Sequence, residues 1–267
     1  MKSVIITGSS RGIGLGMAQE FLKRGCAVTL SARSRQKLGE EAQRLAQEFG
    51  GDRVFSQPCD VNDPAQLQAL WDAAHAKFGR VDIWINNAGI STSTIPLWEL
   101  DSRQIESVVH TNLTGTIYGC QVAIKGMLEQ GSGQIYNFEG HGSNDMVLAG
   151  LSVYGSTKRA VRYFTESLIE ETKETPVQVG AIGPGMVITD LLLNDLRNMP
   201  PEKFEMAKIT FNVLGDKVET VTPWLVEGVL NNTETGARID WLTEEKANAR
   251  FADEAYIERD LLGEFGF

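Results

Sequence analysis

Directly behind its first apolar stretch, Ser3–Thr7, the chain reads Thr7-Gly8-Ser9-Ser10-Arg11-Gly12-Ile13-Gly14, and helical spacing of apolar residues begins at once. Gly8 allows a tight turn. Gly12 and Gly14 let backbone and helix approach a pyrophosphate at the helix N-terminus, where unpaired N–H groups and the helix dipole favour an anion. A glycine triplet alone is a turn about as often as a site; between a strand and a helix, at the start of a βαβ unit, it reads as a dinucleotide loop. Gly8, Ser10, Arg11, Gly12, Ile13 and Gly14 are the candidate cofactor contacts of this loop.

Short β-branched runs then alternate with longer amphipathic stretches, the pattern of a parallel sheet covered by helices on both faces. Strands are expected at Ser3–Thr7, Ala27–Ser31, Arg53–Pro58, Asp82–Asn86, Gly133–Phe138, Gln178–Ile182 and Arg238–Leu242. Helical stretches are expected at Ile13–Arg24, Arg35–Phe49, Ala65–Phe78 and Val153–Lys173. The class is therefore α/β: a doubly wound Rossmann fold of about seven parallel strands in one domain spanning 1–267. A stretch at about 186–217, beyond a Gly-Pro-Gly turn, mixes apolar and charged residues as a substrate-covering segment does. The tail at about 243–267 is rich in Glu, Asp, Arg and Ala, and is expected on the surface or against a neighbouring subunit.

Cofactor choice is legible at the end of the second strand. An NAD-selective site places an acid there for the ribose 2′-hydroxyl, whereas this chain has Ser31-Ala32-Arg33-Ser34-Arg35. Arg33, with Arg11, offers guanidinium groups to a 2′-phosphate, so NADP(H) is expected; solvated surface arginines are the alternative. Asp60 and Val61, after the third strand, are candidates against the adenine, and Asp60 reads almost as well as a helix N-cap. A formal net charge of −10 without a basic patch argues against nucleic acid or an anionic membrane as partner. No apolar run approaches the ~20 residues of a membrane helix. Cys26, Cys59 and Cys120 are far apart without metal-ligand spacing, and no leader precedes the first strand, so a cytoplasmic protein without a metal site is expected.

The glycine loop, Asn86-Asn87-Ala88-Gly89, Tyr154-Gly155-Ser156-Thr157-Lys158, and Pro184-Gly185 followed by Thr189 stand in this order on the expected elements. Together they resemble the TGxxxGxG, NNAG, YxxxK and nicotinamide-side motifs of the classical short-chain dehydrogenase/reductase family, over nearly the whole chain. The resemblance implies a homodimer or homotetramer acting on a small-molecule carbonyl substrate. It also implies further cofactor contacts at Asn87, Ala88, Gly89, Tyr154, Lys158, Pro184, Gly185, Val187 and Thr189. Tyr154 and Lys158, four apart in a helical stretch, project from one face. An ammonium beside a phenol favours the phenolate, which brings a group of pKa ~10 toward use near neutrality. Tyr154 then donates a proton in reduction and accepts one in oxidation. Asn112 matches the family asparagine that supports a water relay to the lysine.

One place departs from the family. The serine that polarises the substrate carbonyl falls on His141 by its usual spacing from the tyrosine, and on Gly140 when counted from Asn137. Either the loop is shifted and Ser143 supplies the hydroxyl, the preferred reading, or His141 or Tyr154 alone holds the carbonyl; a second donor lowers the barrier to hydride attack. Glu139 and His141 are alternatively substrate contacts. The loop Asn137–Ser143, with Tyr154–Arg159, Pro184–Leu192 and Phe211–Leu214, looks like the corresponding stretches of chlorophyll b reductases, which reduce a ring formyl group to hydroxymethyl. That likeness implies a chlorophyll-type macrocycle in a wide apolar cleft, with Met186, Leu191, Leu192, Leu193, Met199, Phe204, Met206 and Phe211 as candidate lining; packing of a lid or an interface is the alternative. A generic carbonyl, 3-oxoacyl or sugar reductase is the second expectation. A non-catalytic dinucleotide sensor is the third, disfavoured by the intact Tyr154–Lys158 pair.

Overall fold

The computed structural model describes every residue but Asp145, Asn198 and Pro200, and every side chain but theirs and those of Asp195, Pro201, Glu202, Lys203 and Met206. Strands β1 (Ser3–Thr7) and β2 (Ala27–Ser31) are buried at every position, as strands covered on both faces must be. Helix α1 (Gly12–Lys23) joins them. Ser34 caps α2 (Arg35–Phe49), its hydroxyl accepting from the Lys37 N–H. After β3 (Val54–Ser56), Asp63 caps α3 (Pro64–Phe78), Pro64 opens its first turn, and Gly79 ends it at φ 78°.

Strand β4 (Ile83–Asn86) leads to α4 (Ser102–Val109), a π-helical turn at His110–Thr114, and α5 (Gly115–Gln130). Next come β5 (Gly133–Phe138), α6 (Ser152–Thr172) and β6 (Val177–Gly183). The remainder comprises β7 (Met186–Ile188), α7 (Asp190–Arg197), α8 (Pro201–Leu214), β8 (Gly215–Lys217), α9 (Val218–Asn231), β9 (Arg238–Asp240), α10 (Glu244–Phe251) and α11 (Glu254–Glu258).

Seven strands form one parallel sheet in the order β3-β2-β1-β4-β5-β6-β9. The order reverses beside β1, which opens a crevice at the carboxyl ends of β1 and β4, the usual ligand position in a doubly wound sheet. Side-chain alternation builds the two cores. Val4 and Ile6 pack with Met17 and Phe21 of α1 and Leu225 and Val229 of α9. Ile5 packs on the other face with Leu70 and Trp71 of α3 and Cys120 and Ala123 of α5.

Three strands are shorter than expected, β3, β4 and β9, and β6 is longer by a residue at each end. The β7–β8 pair was not expected; Gly215-Asp216-Lys217 has no apolar alternation to announce a strand. The pair brackets the stretch expected to cover the substrate. The tail also differs from expectation, because it packs onto that stretch. Leu261 and Leu262 join Ile188, Leu193 and Leu196 in a third apolar cluster. Arg250 donates to the buried Asp216 at 2.7 Å, and Arg259 donates to the carbonyls of Asn212, Val213 and Gly215. Among the described residues no helix is long and apolar enough to cross a membrane. Cys26, Cys59 and Cys120 are free and buried.

Candidate active site

At the carboxyl end of β1, Thr7 Oγ1 accepts from the N–H groups of Asn87 and Ala88, each at 3.1 Å. Asn87 Nδ2 donates to the carbonyls of Thr7 and Gly8 at 2.8 and 3.1 Å. These bonds lock the loop after β4 onto the glycine loop. Gly8 is at φ 67°, and a Cβ there would stand 2.8 Å from Ala88 Cα; one at Gly14 would stand 2.5 Å from Asn87 Nδ2. Only glycine permits both approaches. Ser9 Oγ donates to Ile6 at 2.7 Å and accepts from the Ser31 N–H at 2.8 Å, tying the loop to β2. Behind it α1 starts at Gly12, and Arg11 in the N-cap position makes no capping bond, so the first-turn N–H groups remain available to an anion.

Other expected cofactor residues gather here. Ser10 is buried and Ile13 partly so. Thr189, after β7, lies 3.5 Å from the position of a Gly12 Cβ. Pro184 precedes Gly185, at φ 71° and pressed against Leu242, and Val187 is buried in β7. Arg33 is exposed, with no ion pair among the described residues. Arg11 stands 3.5 Å from Asp190, an exposed pair of little energetic weight. Asp60 does not cap a helix: its carboxylate accepts from the Asn62 N–H, and Asp63 caps α3. Val61 is buried against Gly115 at the start of α5.

Lys158 and Tyr154 converge where β5 ends. The buried Lys158 ammonium donates to the Phe138 carbonyl at 3.1 Å and lies 5.8 Å from the centre of the Tyr154 ring. Burial pulls the Lys158 pKa down to about 8, against the opposing pull of the Glu139 carboxylate. A Cβ at Gly140 would stand 2.6 Å from the Tyr154 hydroxyl and 3.5 Å from Lys158 Cε. Asn112, in the π-helical turn, is fully buried. Its side chain pairs with both backbone groups of Ile90 at 2.9 Å and donates to Thr157 Oγ1 at 3.2 Å. Thr157 in turn donates to the Tyr154 carbonyl at 2.7 Å. A Cβ at Gly89 would lie between Asn112 Oδ1, at 3.5 Å, and Lys158 Nζ, at 3.8 Å, so the loop after β4 and the Tyr154–Lys158 pair share one crevice.

The unusual loop has a definite arrangement. Glu139 is no substrate contact, since both its oxygens accept from Arg238 at 2.8 Å and its side chain is 2% exposed. Gly142, at φ 93°, passes so close to Gly155 that a Cβ would stand 2.5 Å from its Cα. The Ser143 carbonyl accepts from Arg159 and Arg162, each at 3.2 Å, so Ser143 runs along α6 beyond Tyr154 while Gly140 faces the hydroxyl. His141 Nε2 is buried without a hydrogen-bond partner among the described residues, and burial lowers the imidazole pKa.

Thr7 and Thr157 were not expected to bond across the site, although both stand inside the glycine and tyrosine motifs. The Glu139–Arg238 pair was not expected either, and no local signal marks it. Of the expected cleft lining, Leu192, Leu193, Met199, Phe204 and Phe211 pack in the third cluster with the tail. Leu191 is exposed, Met186 is half-buried, and the Met206 side chain lies outside the described residues.

A family model for short chain dehydrogenases matches residues 2–199. The chain is 35% identical over 257 residues to chlorophyll(ide) b reductase NOL, chloroplastic, of Oryza sativa subsp. japonica, covering 93% of this chain and 73% of that one. It is 35% identical over 232 residues to the protein of the same name from Arabidopsis thaliana, covering 85% of this chain and 65% of that one. Among solved structures, the closed form of serine dehydrogenase complexed with NADP+ matches at TM-score 0.77 and 25% identity, covering 90% of this chain and 94% of that one. With its glycine loop and Tyr154–Lys158 pair inside the matched residues 2–199, this chain belongs to the short-chain dehydrogenase family.

Proposed function

We propose that this chain is an NADP(H)-dependent oxidoreductase that reduces a carbonyl to an alcohol, in the first place the formyl group of a chlorophyll-type macrocycle. The convergence of the Tyr154 hydroxyl and the buried Lys158 on Gly140, in the crevice that the glycine loop opens, carries this reading. An uncapped α1 and glycines packed too tightly for a Cβ fit the pyrophosphate. Arg33, with Arg11, holds the 2′-phosphate; Asn87–Gly89, Pro184, Gly185, Val187 and Thr189 hold the nicotinamide side, and Asp60 and Val61 the adenine side. NADPH, when bound, supplies the hydride. Tyr154 gives its hydroxyl proton to the carbonyl oxygen, and the Lys158 ammonium favours the phenolate left behind. Asn112 fixes the turn beside them. Ser143 is the candidate second donor, and His141 Nε2, buried with no hydrogen-bond partner among the described residues, is its rival.

Similarity to proteins named chlorophyll(ide) b reductase supports the macrocyclic substrate. Commitment of five expected lining residues to the lid cluster favours a second reading, a generic carbonyl reductase with a smaller substrate. Incubation with NADPH and chlorophyll b or chlorophyllide b, followed by absorption, separates them. Loss of the formyl-conjugated band supports the first; no change alongside rapid reduction of simple ketones or sugars leaves the second. We further propose a homodimer or homotetramer, to be measured by light scattering, in a reducing compartment, the cytoplasm first. Free, buried thiols support a reducing compartment, and the relatives' chloroplastic names make cell fractionation the deciding test.

A further inference from the structure

Glu139 and Arg238 stand 99 positions apart, one just past the end of β5 and the other opening β9, with β6 between them. Both carboxylate oxygens are taken by the guanidinium at 2.8 Å. A carboxylate this deeply buried demands such a partner, while Arg238 itself stays partly in solvent and also reaches Asp240 at 3.3 Å. One residue before Glu139, the Phe138 carbonyl accepts from Lys158 Nζ at 3.1 Å. One residue after it, Gly140 meets the Tyr154 hydroxyl. The ion pair therefore anchors the residue between the two contacts of the catalytic pair.

We propose that Glu139, held by Arg238, is a positioning residue for proton transfer: its charge keeps the buried Lys158 side chain an ammonium, and its tether sets the path on which Gly140 passes the Tyr154 hydroxyl. This rests on the catalytic reading of Tyr154 and Lys158 above. Lys158 has few other charges to answer to among the described residues. Its own helix presents Tyr154, the loop after β4 presents Gly89, and the π-helical turn presents the neutral Asn112. Arg238 and Asp240 of β9 lie behind Glu139; the loop's other titratable side chains are His141 and Asp145, of which Asp145 lies outside the described residues. Burial disfavours the ammonium, and the Glu139 carboxylate is the charge that opposes it.

The sign of the effect separates this role from simple bracing. Glu139→Gln removes the supporting charge and leaves Arg238 unopposed, so the Lys158 midpoint falls, on the order of one pH unit. Arg238→Gln leaves the carboxylate unopposed, so the midpoint does not fall. The comparison of Glu139→Gln/Arg238→Gln with Arg238→Gln repeats the sign test without an unpaired guanidinium, should the first variant fail to fold. The midpoint is read in cofactor-free protein from the Cε shift of ¹³C-lysine, assigned with Lys158→Arg. In parallel, the alkaline limb of NADPH-dependent turnover is expected to move down in Glu139→Gln and not in Arg238→Gln. A Lys158 midpoint unmoved by Glu139→Gln, or lowered alike by both variants, overturns the proposal. A wild-type protein that turns over no carbonyl refutes the proposed function, while the titration still decides the role of Glu139.

Discussion

Lys158 carries a charge in a place that disfavours it, and that tension fixes the pH behaviour of the site. With its pKa lowered to about 8, reductive turnover is expected to fall as pH rises through that value, because the ammonium that favours the Tyr154 phenolate is lost. The same shift sets the stability term. The folded pKa lies below the unfolded value of ~10.4, so burying the charged form costs stability below about 8, and that cost fades between about 8 and ~10.4. Lys158→Met is therefore expected to abolish turnover, yet melt no lower than wild type at neutral pH, with its advantage shrinking above pH 8 as scanned by calorimetry. At the cofactor end, Arg33→Ala is expected to weaken NADPH roughly tenfold or more while leaving NADH binding nearly unchanged, since a charge-assisted phosphate contact is lost. Arg11→Ala is expected to matter less, because Arg11 already stands near Asp190; fluorescence titration of both cofactors checks each. Tyr154 and Lys158 were legible because their relation is local, one helical turn. Glu139 was not, because its partner arrives through the β6–β9 pairing.

The loop after β5 is where element geometry overrules the family pattern. Placing serine at position 140 does not restore an ordinary site: its Cβ would stand 2.6 Å from the Tyr154 hydroxyl. Gly140→Ser is expected to cut turnover by roughly 10²-fold through displacement of the proton donor, with NADPH affinity retained, as steady-state kinetics and titration can show. Ser143→Ala and His141→Ala identify the second donor, whose removal costs roughly 10²-fold; the other substitution is expected to be nearly silent. The stretch 186–217 and the tail share one apolar cluster around the fully buried Leu262. Leu262→Ala is expected to lower stability by about 2–5 kcal/mol for the region that unfolds with it, and to raise substrate KM more than it lowers kcat. Helices α1, α2, α3 and α6 and the buried strands were readable because their apolar period spans enough residues. The three-residue β7 and β8 carry too few positions to show one, and the tail's few apolar residues gave no hint of what they cover.

At the scale of the molecule, the sheet order brings together groups scattered along the sequence. The reversal beside β1 makes the crevice, the bonds between Thr7 and Asn87 close its floor, and α6 lays Tyr154 and Lys158 along the end of β5. Parallel order followed from the strand–helix alternation, and the crevice followed from the order. The size of the substrate did not, because five of the eight residues expected to line a wide cleft pack instead with a tail whose position no local pattern specifies. Saturating NADPH is expected to stabilise the fold through mass action, by about 2.7 kcal/mol at a hundredfold excess over Kd, which calorimetry reads as a higher melting temperature. The central claim is that Tyr154 protonates a carbonyl reduced by NADPH in this crevice. The direct measurement is NADPH consumption across a panel of aldehydes and ketones, chlorophyll b included, by wild type and Tyr154→Phe at matched cofactor occupancy. The expected result is turnover in wild type and a loss of at least about 10²-fold in the variant, with unchanged NADPH affinity; near-normal turnover by Tyr154→Phe would contradict the account.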